Sequence, residues 1–293
     1  MRFADWLELR EGADAAARAP VLVEPVRRHL AGRSRAVIHD LGSGTGAMTR
    51  WLAPRLPVPQ HWVLYDRDSE LLDRAVSRLP RAVTARTRRL DITRLTETDL
   101  DGADLVTASA LLDMLTAEEL DRVVAACVQA GAPVLLTISV TGRVELFPPD
   151  PLDAALGGAF DAHQRRTVGS RTLLGPDAVE ATALAFRRYG TGVCTAASPW
   201  RLGPGEVDLT AAWLAGWVAA ACEQRPELSG QATAYLASRL ADAWAGRLRV
   251  VVHHTDVLAA ACGEPPAAIA RTVLQSRPLE EFRCKVRRQC HGP

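Results

Sequence analysis

The chain has 293 residues, a net charge of +1 at pH 7 and a mean hydropathy of -0.01. A chain of this length can bury a full hydrophobic core, as one large domain or as one domain with a cap. The near-neutral charge excludes a global bias toward nucleic acid or anionic membranes, and no uncharged apolar segment is long enough to span a bilayer.

The cysteines predict neither a disulfide framework nor a structural zinc site, because they are scattered. They lie at Cys127, Cys194, Cys222, Cys262, Cys284 and Cys290. Cys284 and Cys290 cluster with His291, but a tetrahedral site needs a fourth ligand, so we expect no metal. The N-terminus lacks the apolar run of a secretory signal, and we therefore expect a reduced, cytoplasmic protein.

Residues 4–30 predict one helix, or two helices broken near Pro20. Arg10, Asp14 and Arg18 are spaced four residues apart and share one face of this helix. That spacing is typical of a solvated charge ladder. The alternative is a helix that leans over a ligand and presents one of its arginines to it. We treat residues 1–36 as an N-terminal helical cap.

A buried strand over residues 37–41 is followed by a glycine-rich turn, in which Gly42, Gly44 and Gly46 alternate with Ser43 and Thr45. Glycine adopts backbone angles that other residues resist, and it lets a ligand approach the main chain closely. The pattern then predicts a helix, whose first N–H groups are unpaired and carry partial positive charge. The turn is therefore the first candidate for a ligand site.

Two kinds of ligand fit this turn, and a turn without a ligand is the third possibility. Gly42, Gly44 and Ala47 match the dinucleotide fingerprint, in which the start of the helix holds a pyrophosphate. Asp40 lies two residues before the first glycine, and its carboxylate would repel a pyrophosphate but suit a ligand with an ammonium group.

The second strand, predicted over residues 61–66, ends in Asp66. In a doubly wound sheet, ligands lie beyond the carboxyl ends of the strands. An acid at that position can accept two hydrogen bonds from a ribose diol. The alternative is that Asp66 is the N-cap of the helix predicted over residues 69–79.

Five further strands are predicted, at residues 82–91, 104–110, 133–140, 192–197 and 247–259. The run over 133–140 is almost continuously apolar, which is typical of the centre of a sheet. The strand at 82–91 carries several arginines, which is typical of a solvated edge strand. Helical patterns separate most of these strands and indicate an α/β fold.

Residues 143–175 form an insertion that exceeds a minimal α/β unit, and long segments of this kind are usually functional. His163 is a candidate catalytic base, because its pKa suits proton transfer near neutral pH. Gln164, Arg165 and Arg166 are candidate substrate contacts. The alternative is a helix surface with a solvated histidine. Trp200 fits a pocket wall or the core equally well.

The Asp-x-Gly-x-Gly-x-Gly motif from Asp40 to Gly46 closely resembles motif I of the class I S-adenosylmethionine-dependent methyltransferases. Asp66, Asp91 and the strand end at 104–115 fit this family by position. The resemblance covers residues 35–140 well and the strand pattern to about 260 loosely. It implies a doubly wound, mostly parallel seven-stranded sheet with an antiparallel closing strand and helices on both faces. The domain would span residues 37–262, with residues 263–293 as a C-terminal tail.

The resemblance also implies a role for each matched position. The cofactor is S-adenosylmethionine, released as S-adenosylhomocysteine. The implied cofactor residues are the turn (Asp40, Gly42, Ser43, Gly44, Gly46), the ribose acid Asp66 with Arg67 at the rim, the adenine residues Asp91 and Ile92, the pair Ser109 and Ala110 near the sulfonium, and Arg10 at the carboxylate. Asp113 would lie near the substrate, as a second catalytic candidate.

The methyl acceptor is the least determined part of the interpretation. An Asn/Asp-Pro-Pro-aromatic motif, expected of nucleic-acid amino methyltransferases, does not follow the strand at 104–110. We therefore expect transfer to an O or N nucleophile of a small molecule, without a membrane partner. The alternatives are an RNA methyltransferase, including one acting on ribosomal RNA, and a non-catalytic nucleotide- or S-adenosylmethionine-binding module.

Overall fold

The computed structural model describes residues 1–260. The predicted tail at 263–293, and Cys262, Cys284, Cys290 and His291, lie outside the described residues. The strands are β1 (Ala36–Leu41), β2 (Gln60–Asp66), β3 (Val83–Arg89), β4 (Leu105–Ser109), β5 (Val134–Phe147), β6 (Thr167–Val168), β7 (Arg171–Thr172), β8 (Gly192–Ala197), β9 (Trp200–Leu202) and β10 (Arg249–Ala260).

The helices are α1 (Phe3–Ala17), α2 (Val23–Leu30), α3 (Ala47–Leu52), α4 (Ser69–Ser77), α5 (Ala117–Ala130), α6 (Asp153–Gln164), α7 (Ala178–Arg188), α8 (Val207–Gln224) and α9 (Ser229–Trp244). Short 3-10 segments join several of them. The most relevant to the site are Pro20–Leu22, Ile92–Arg94, Leu112–Met114 and Gly175–Asp177.

The main sheet has the order β3-β2-β1-β4-β5-β10-β8. The first five of these strands run parallel, and β10 lies antiparallel between β5 and β8. This confirms the predicted α/β fold with a mostly parallel sheet and one reversed strand. Along this path the sheet has the seven strands that were expected.

An eighth strand, β9, is a departure from the prediction. The twelve residues of β10 are long enough to pair with two short strands in succession. Its first part pairs with β9 and its second part with β8. Similarly, β5 continues to Phe147, past the predicted end at residue 140, because this extension also pairs with β10.

Two apolar layers cover opposite faces of the parallel sheet. Side chains of α5 and α7 pack on one face and side chains of α2, α3 and α4 pack on the other. Neighbouring residues such as Leu135 and Leu136 enter different layers, since successive strand residues point to opposite faces. A third cluster joins α6, α8 and α9 to the extension of β5 and to β9 and β10.

Two searches of residues 1–260 bear on the functional classes. No helix in this part of the chain is long and apolar enough to cross a membrane. No group of three or more His, Cys, Asp or Glu residues within the same range could hold a metal ion.

Candidate functional site

The parallel pairing brings polar strand ends from the first half of the chain to one edge of the sheet. β1 pairs with both β2 and β4, and β4 pairs with β5. Asp66 and Ser109 are the last residues of β2 and β4, and Asp40 is the next to last residue of β1. Three of the predicted cofactor residues therefore lie on adjacent strands at the carboxyl edge.

The glycine turn has the left-handed backbone that its sequence suggested. Gly42, Gly44 and Gly46 have φ angles of 64°, 53° and 82°, which strain any residue with a side chain. A Cβ atom on Gly44 would lie 3.0 Å from Cδ1 of Leu7, and one on Gly42 would lie 3.2 Å from Cδ1 of Leu111. Helix α1 therefore packs directly over the turn.

Asp66 connects the end of β2 to this turn. Its Oδ2 accepts a hydrogen bond from the Gly44 N–H at 3.0 Å, and its Oδ1 accepts one from the Asp68 N–H at 3.0 Å. Each carboxylate oxygen keeps acceptor capacity for a further donor, such as a ribose hydroxyl. The cap of α4 is Asp68, whose side chain accepts from the Glu70 N–H, so the N-cap interpretation of Asp66 was wrong.

The predicted adenine residues lie just beyond β3. Asp91 is exposed and caps a 3-10 segment by accepting from the Thr93 N–H and hydroxyl at 3.0 and 2.8 Å. Burial opposes the charge, but the hydrogen bonds from Thr93 outweigh it and lower the pKa of Asp91. Ile92 is buried, whereas Arg67 is exposed at the rim.

Asp40 is fully buried, and only one of its two carboxylate oxygens has a hydrogen-bond partner among the described residues. The Thr107 hydroxyl donates to its Oδ1 at 2.7 Å, while its Oδ2 has no partner among residues 1–260. Burial raises the pKa of Asp40 to about 7, although the positive charge of Arg18 opposes the shift. A cationic ligand group at Oδ2 would supply the missing partner and favour the ionised carboxylate.

Arg18 is a second buried charge at this edge, with 2% of its surface exposed. Its Nε donates to the Thr137 hydroxyl at 3.3 Å and its Nη2 donates to the Ser109 hydroxyl at 3.0 Å. Its Nη1 is buried, and no described residue accepts from it. Burial lowers the pKa of Arg18, while Asp14, Asp256 and Asp40 counteract that shift.

Arg10, the arginine assigned to the cofactor by resemblance, is already paired. Its guanidinium binds both oxygens of Asp14 at 3.0–3.3 Å and stacks between the rings of Trp6 and Trp200. Asp14 and Arg18 are buried, so the solvated-ladder interpretation of this face was wrong. These charges face the interior because each finds a polar partner there, and the guanidinium nitrogen without an acceptor among the described residues is Nη1 of Arg18.

Asp113 follows β4 in the segment Leu112–Met114. The preceding Ala110 has a φ of 51°, and its N–H donates to the Thr137 carbonyl at 2.9 Å, which turns the chain away from the strand. Burial raises the pKa of Asp113, and Arg10 opposes that shift. Since Leu111 contacts the glycine turn, Asp113 belongs to the same end of the sheet.

The predicted substrate residues are held by contacts of their own. His163 Nε2 lies 3.1 Å from Glu223 and its Nδ1 lies 3.2 Å from Arg166. Arg165 forms two short hydrogen bonds with Asp177, and Gln164 Oε1 is buried without a partner in the described part of the chain. Within residues 1–260, no hydrogen bond or ion pair joins these four side chains to the strand ends.

Trp200 is a core residue with 3% of its surface exposed. Its Nε1 donates to Asp14 at 2.9 Å, and its ring packs beside His254. Of the two interpretations left open for Trp200, this packing favours the core.

Sequence reasoning missed the polar residues that complete the edge. These are Thr107 on β4, Thr137 on β5 and Asp256 on β10. Arg18 was not missed, because it was one of the two arginines on the helix face that was expected to meet a ligand. Asp256 had no signal in the sequence, since at least 58 residues separate it from the groups that donate hydrogen bonds to it.

The sequence was compared with known families and structures. Residues 38–133 match the family model described as a methyltransferase domain. A search of curated proteins found no match.

Several solved structures are similar in shape. The cyclopropane synthase MmaA2 of Mycobacterium tuberculosis is 14% identical, with 81% of this chain and 83% of that chain covered and a TM-score of 0.44. The YcgJ protein of Bacillus subtilis is 12% identical, with 84% and 100% covered and a TM-score of 0.45.

A phosphoethanolamine N-methyltransferase 2 from Haemonchus contortus, in complex with S-adenosyl-L-methionine, is 15% identical, with 90% and 60% covered and a TM-score of 0.42. At these scores the likenesses carry no argument about substrate. The matched family model covers the glycine turn, Asp66, Asp91 and the end of β4. Over residues 38–133 the chain therefore matches the model of a methyltransferase domain.

Proposed function

We propose that the chain binds S-adenosylmethionine at the carboxyl edge of the sheet and transfers its methyl group to an oxygen or nitrogen of a small molecule. One observation carries this proposal: Asp40 Oδ2 and Arg18 Nη1 are buried, belong to an acidic and a basic side chain, and have no hydrogen-bond partner among residues 1–260. An ammonium group at Asp40 and a carboxylate at Arg18 would satisfy both atoms. The amino acid end of S-adenosylmethionine supplies both groups.

The remaining cofactor contacts follow from the strand ends. In this proposal Asp66 accepts from the ribose hydroxyls, Asp91 and Ile92 meet the adenine, and Ser109 and Ala110 lie near the sulfonium. The glycine turn, including Ser43, lies against the main part of the ligand. Ser43 Oγ supports this, because it is buried and has no partner in the described chain.

When bound, the cofactor supplies a methyl group already activated by a sulfonium. The residues of the chain then have to position the acceptor, exclude water and, where the acceptor needs it, remove a proton. Asp113 is our preferred base, because burial raises its pKa toward the range in which a carboxylate takes up a proton. His163 is less favoured, since both of its ring nitrogens have contacts elsewhere.

A small acceptor is favoured over RNA by the distribution of charge. The exposed arginines of β3 are the main basic feature near the site, but Arg88 pairs with Asp99 and Arg89 donates to the Arg67 carbonyl. The net charge of +1 adds no general attraction for a phosphate backbone.

The first test of the proposal is calorimetry with S-adenosylmethionine and with NAD. We expect binding of the former and none of the latter, because the Asp40 carboxylate repels a pyrophosphate. Binding of NAD alone would contradict the assignment.

The acceptor can be sought with radiolabelled S-adenosylmethionine in metabolite extracts, with and without ribonuclease. We expect label in small products that ribonuclease leaves unchanged. Label lost on ribonuclease treatment would indicate the RNA alternative, and binding without any labelled product would indicate a non-catalytic module.

A further inference from the structure

We propose that Asp256 is a positioning residue for the cofactor, because it holds Arg18 in place to bind the carboxylate of the amino acid end. This inference rests on the proposed function, since it takes S-adenosylmethionine as the ligand. Asp256 lies on β10, far along the chain from the matched domain, and only 1% of its surface is exposed.

Asp256 joins three separate parts of the chain. Its Oδ2 accepts from the Ala19 N–H at 2.8 Å. Its Oδ1 accepts from the Ile138 N–H at 2.8 Å and from the Ser198 hydroxyl at 2.6 Å. Hydrogen bonds to a charged carboxylate are stronger than those between neutral groups, so these contacts strongly restrain all three segments.

Two of these contacts concern Arg18: one lies next to Arg18 itself in the chain, and one lies next to a residue that accepts a hydrogen bond from it. Ala19 directly follows Arg18, and Ile138 directly follows Thr137, the residue whose hydroxyl accepts from Arg18 Nε. One carboxylate therefore fixes the backbone beside the arginine and the backbone beside its hydrogen-bond partner.

The backbone at Ile138 shows why such a restraint is needed. Its φ is 57°, a left-handed angle that a β-branched residue adopts only where the surroundings impose it. The hydrogen bond from the Ile138 N–H to Asp256 helps to hold Ile138 at this φ angle. The pairing of β5 with β10 also shifts register between Thr255 and Val257, which leaves Asp256 outside the regular ladder with β5, whereas it pairs in register with Ala196 of β8.

Charge gives a second reason for a carboxylate at this position. Asp256, Asp14 and Asp40 all act on the buried guanidinium of Arg18 and favour its charged form. Asp14 is itself bound to Arg10 and Trp200, and Asp40 is the proposed partner of the ligand ammonium. Asp256 is therefore the carboxylate that supports Arg18 without being needed by the ligand.

The test is the Asp256→Asn variant with two ligands, S-adenosylhomocysteine and 5′-methylthioadenosine. The second ligand keeps the adenine, ribose and sulfur but lacks the amino acid end. We expect Asp256→Asn to weaken S-adenosylhomocysteine binding by about tenfold or more, the scale of a disturbed charge-assisted hydrogen bond. Binding of 5′-methylthioadenosine should stay within about twofold of the wild-type value, because no contact with the missing end is involved.

Asp153→Asn is the matched control. Asp153 is a carboxylate held by Arg239 and Tyr235 at the start of α6, away from the strand ends. Asp153→Asn should lower the melting temperature without changing the ratio of the affinities for S-adenosylhomocysteine and 5′-methylthioadenosine. If Asp256→Asn fails to fold, Ser198→Ala removes one support of Asp256 and should still shift the ratio, by about threefold.

The outcomes separate this inference from the proposed function. If Asp256→Asn weakens the binding of both ligands equally, or weakens the binding of neither, the positioning role is overturned while the proposed function stays intact. A wild-type protein that binds neither S-adenosylhomocysteine nor S-adenosylmethionine would overturn both.

Discussion

The carboxyl group of Asp40 is buried at the edge of the sheet with one hydrogen bond, from Thr107, and one oxygen that no described residue meets. Because burial raises its pKa to about 7, it keeps its proton in the folded, ligand-free protein over a pH range in which an exposed aspartate would be ionised. Asp40 thus reduces the stability of the free protein while providing an acceptor for a cationic ligand.

This arrangement predicts a pH dependence of stability. The unfolded chain releases the Asp40 proton near pH 3.8 and the folded chain releases it near pH 7, so the folded state binds more protons between these values. The contribution of Asp40 to the free energy of unfolding therefore falls as pH rises across this interval, by on the order of 4 kcal/mol. Above about pH 7 this contribution is constant.

The Asp40→Asn variant should lose that part of the dependence. Urea denaturation at pH 5 and pH 8 should show a smaller decrease for the variant than for the wild type, while calorimetry at pH 8 shows weakened S-adenosylmethionine binding. An identical decrease in both proteins would mean that Asp40 does not hold its proton in the folded state.

Asp113 and His163 differ as candidate bases in what surrounds them. Asp113 is half-buried at the end of the sheet that carries the glycine turn, while His163 contacts Glu223 and Arg166. If Asp113 removes a proton from the acceptor, Asp113→Asn should lower kcat by about 10²–10⁴-fold with cofactor affinity retained. Steady-state kinetics with the acceptor found in the labelling screen measures this effect.

His163→Ala provides the comparison. We expect it to change kcat by less than about threefold. A large loss in His163→Ala with normal turnover in Asp113→Asn would support the hypothesis drawn from the sequence and reject Asp113.

At the scale of elements, α1 is both a cover and a part of the site. Leu7 packs against the glycine turn, and the next turns of the helix direct Asp14 inward. Its acidic face pairs with arginines of α3 and α4, namely Glu11 with Arg50 and Arg78, and Glu8 with Arg74 and Arg78. These ion pairs hold α1 across the place where the cofactor is proposed to bind.

Because Leu7 of α1 packs against the glycine turn, we expect α1 to shift when the cofactor enters, and weaker pairing of α1 should speed cofactor exchange. Glu11 forms two hydrogen bonds of 2.6 and 2.7 Å with Arg50, and Glu11→Gln removes their charge. We expect Glu11→Gln to increase the association and dissociation rates of S-adenosylhomocysteine by about threefold, from the modest strength of ion pairs near the surface. Stopped-flow fluorescence would record both rates.

Glu227→Gln is the control for this experiment, because Glu227 pairs with Arg225 at a remote, exposed position. It should leave both rates unchanged. Rates in Glu11→Gln that equal those of the wild type would show that the ion pair does not restrain access.

At the scale of the whole molecule, β10 connects the third apolar cluster, formed with α6, α8 and α9, to the parallel sheet. Its first residues pair with β9 and with the extension of β5, within the apolar cluster of α6, α8 and α9. Its later residues pair with β8 and the main part of β5, and Asp256 lies in this second part. One continuous strand therefore belongs both to the cluster of α6, α8 and α9 and to the part of the sheet that holds Asp256.

Much of the fold was predictable because its signals are local. Apolar runs, helical periodicity and the glycine turn marked most elements within a few residues. The three-residue β9 and the extension of β5 escaped prediction, because each depends on pairing with a strand more than 40 residues away. Propensity within a short segment does not contain that information.

By itself, the sequence determined the part of the site that lies next to its own turn. Asp40, Asp66 and the three glycines follow from the rule that ligands lie beyond parallel strand ends. Only the tertiary structure decided which arginine is free, since Arg10 and Arg18 share a helix face and differ in their partners. It also supplied Asp256, because a buried carboxylate is defined by the distant N–H groups that approach it, and packing alone brings them together.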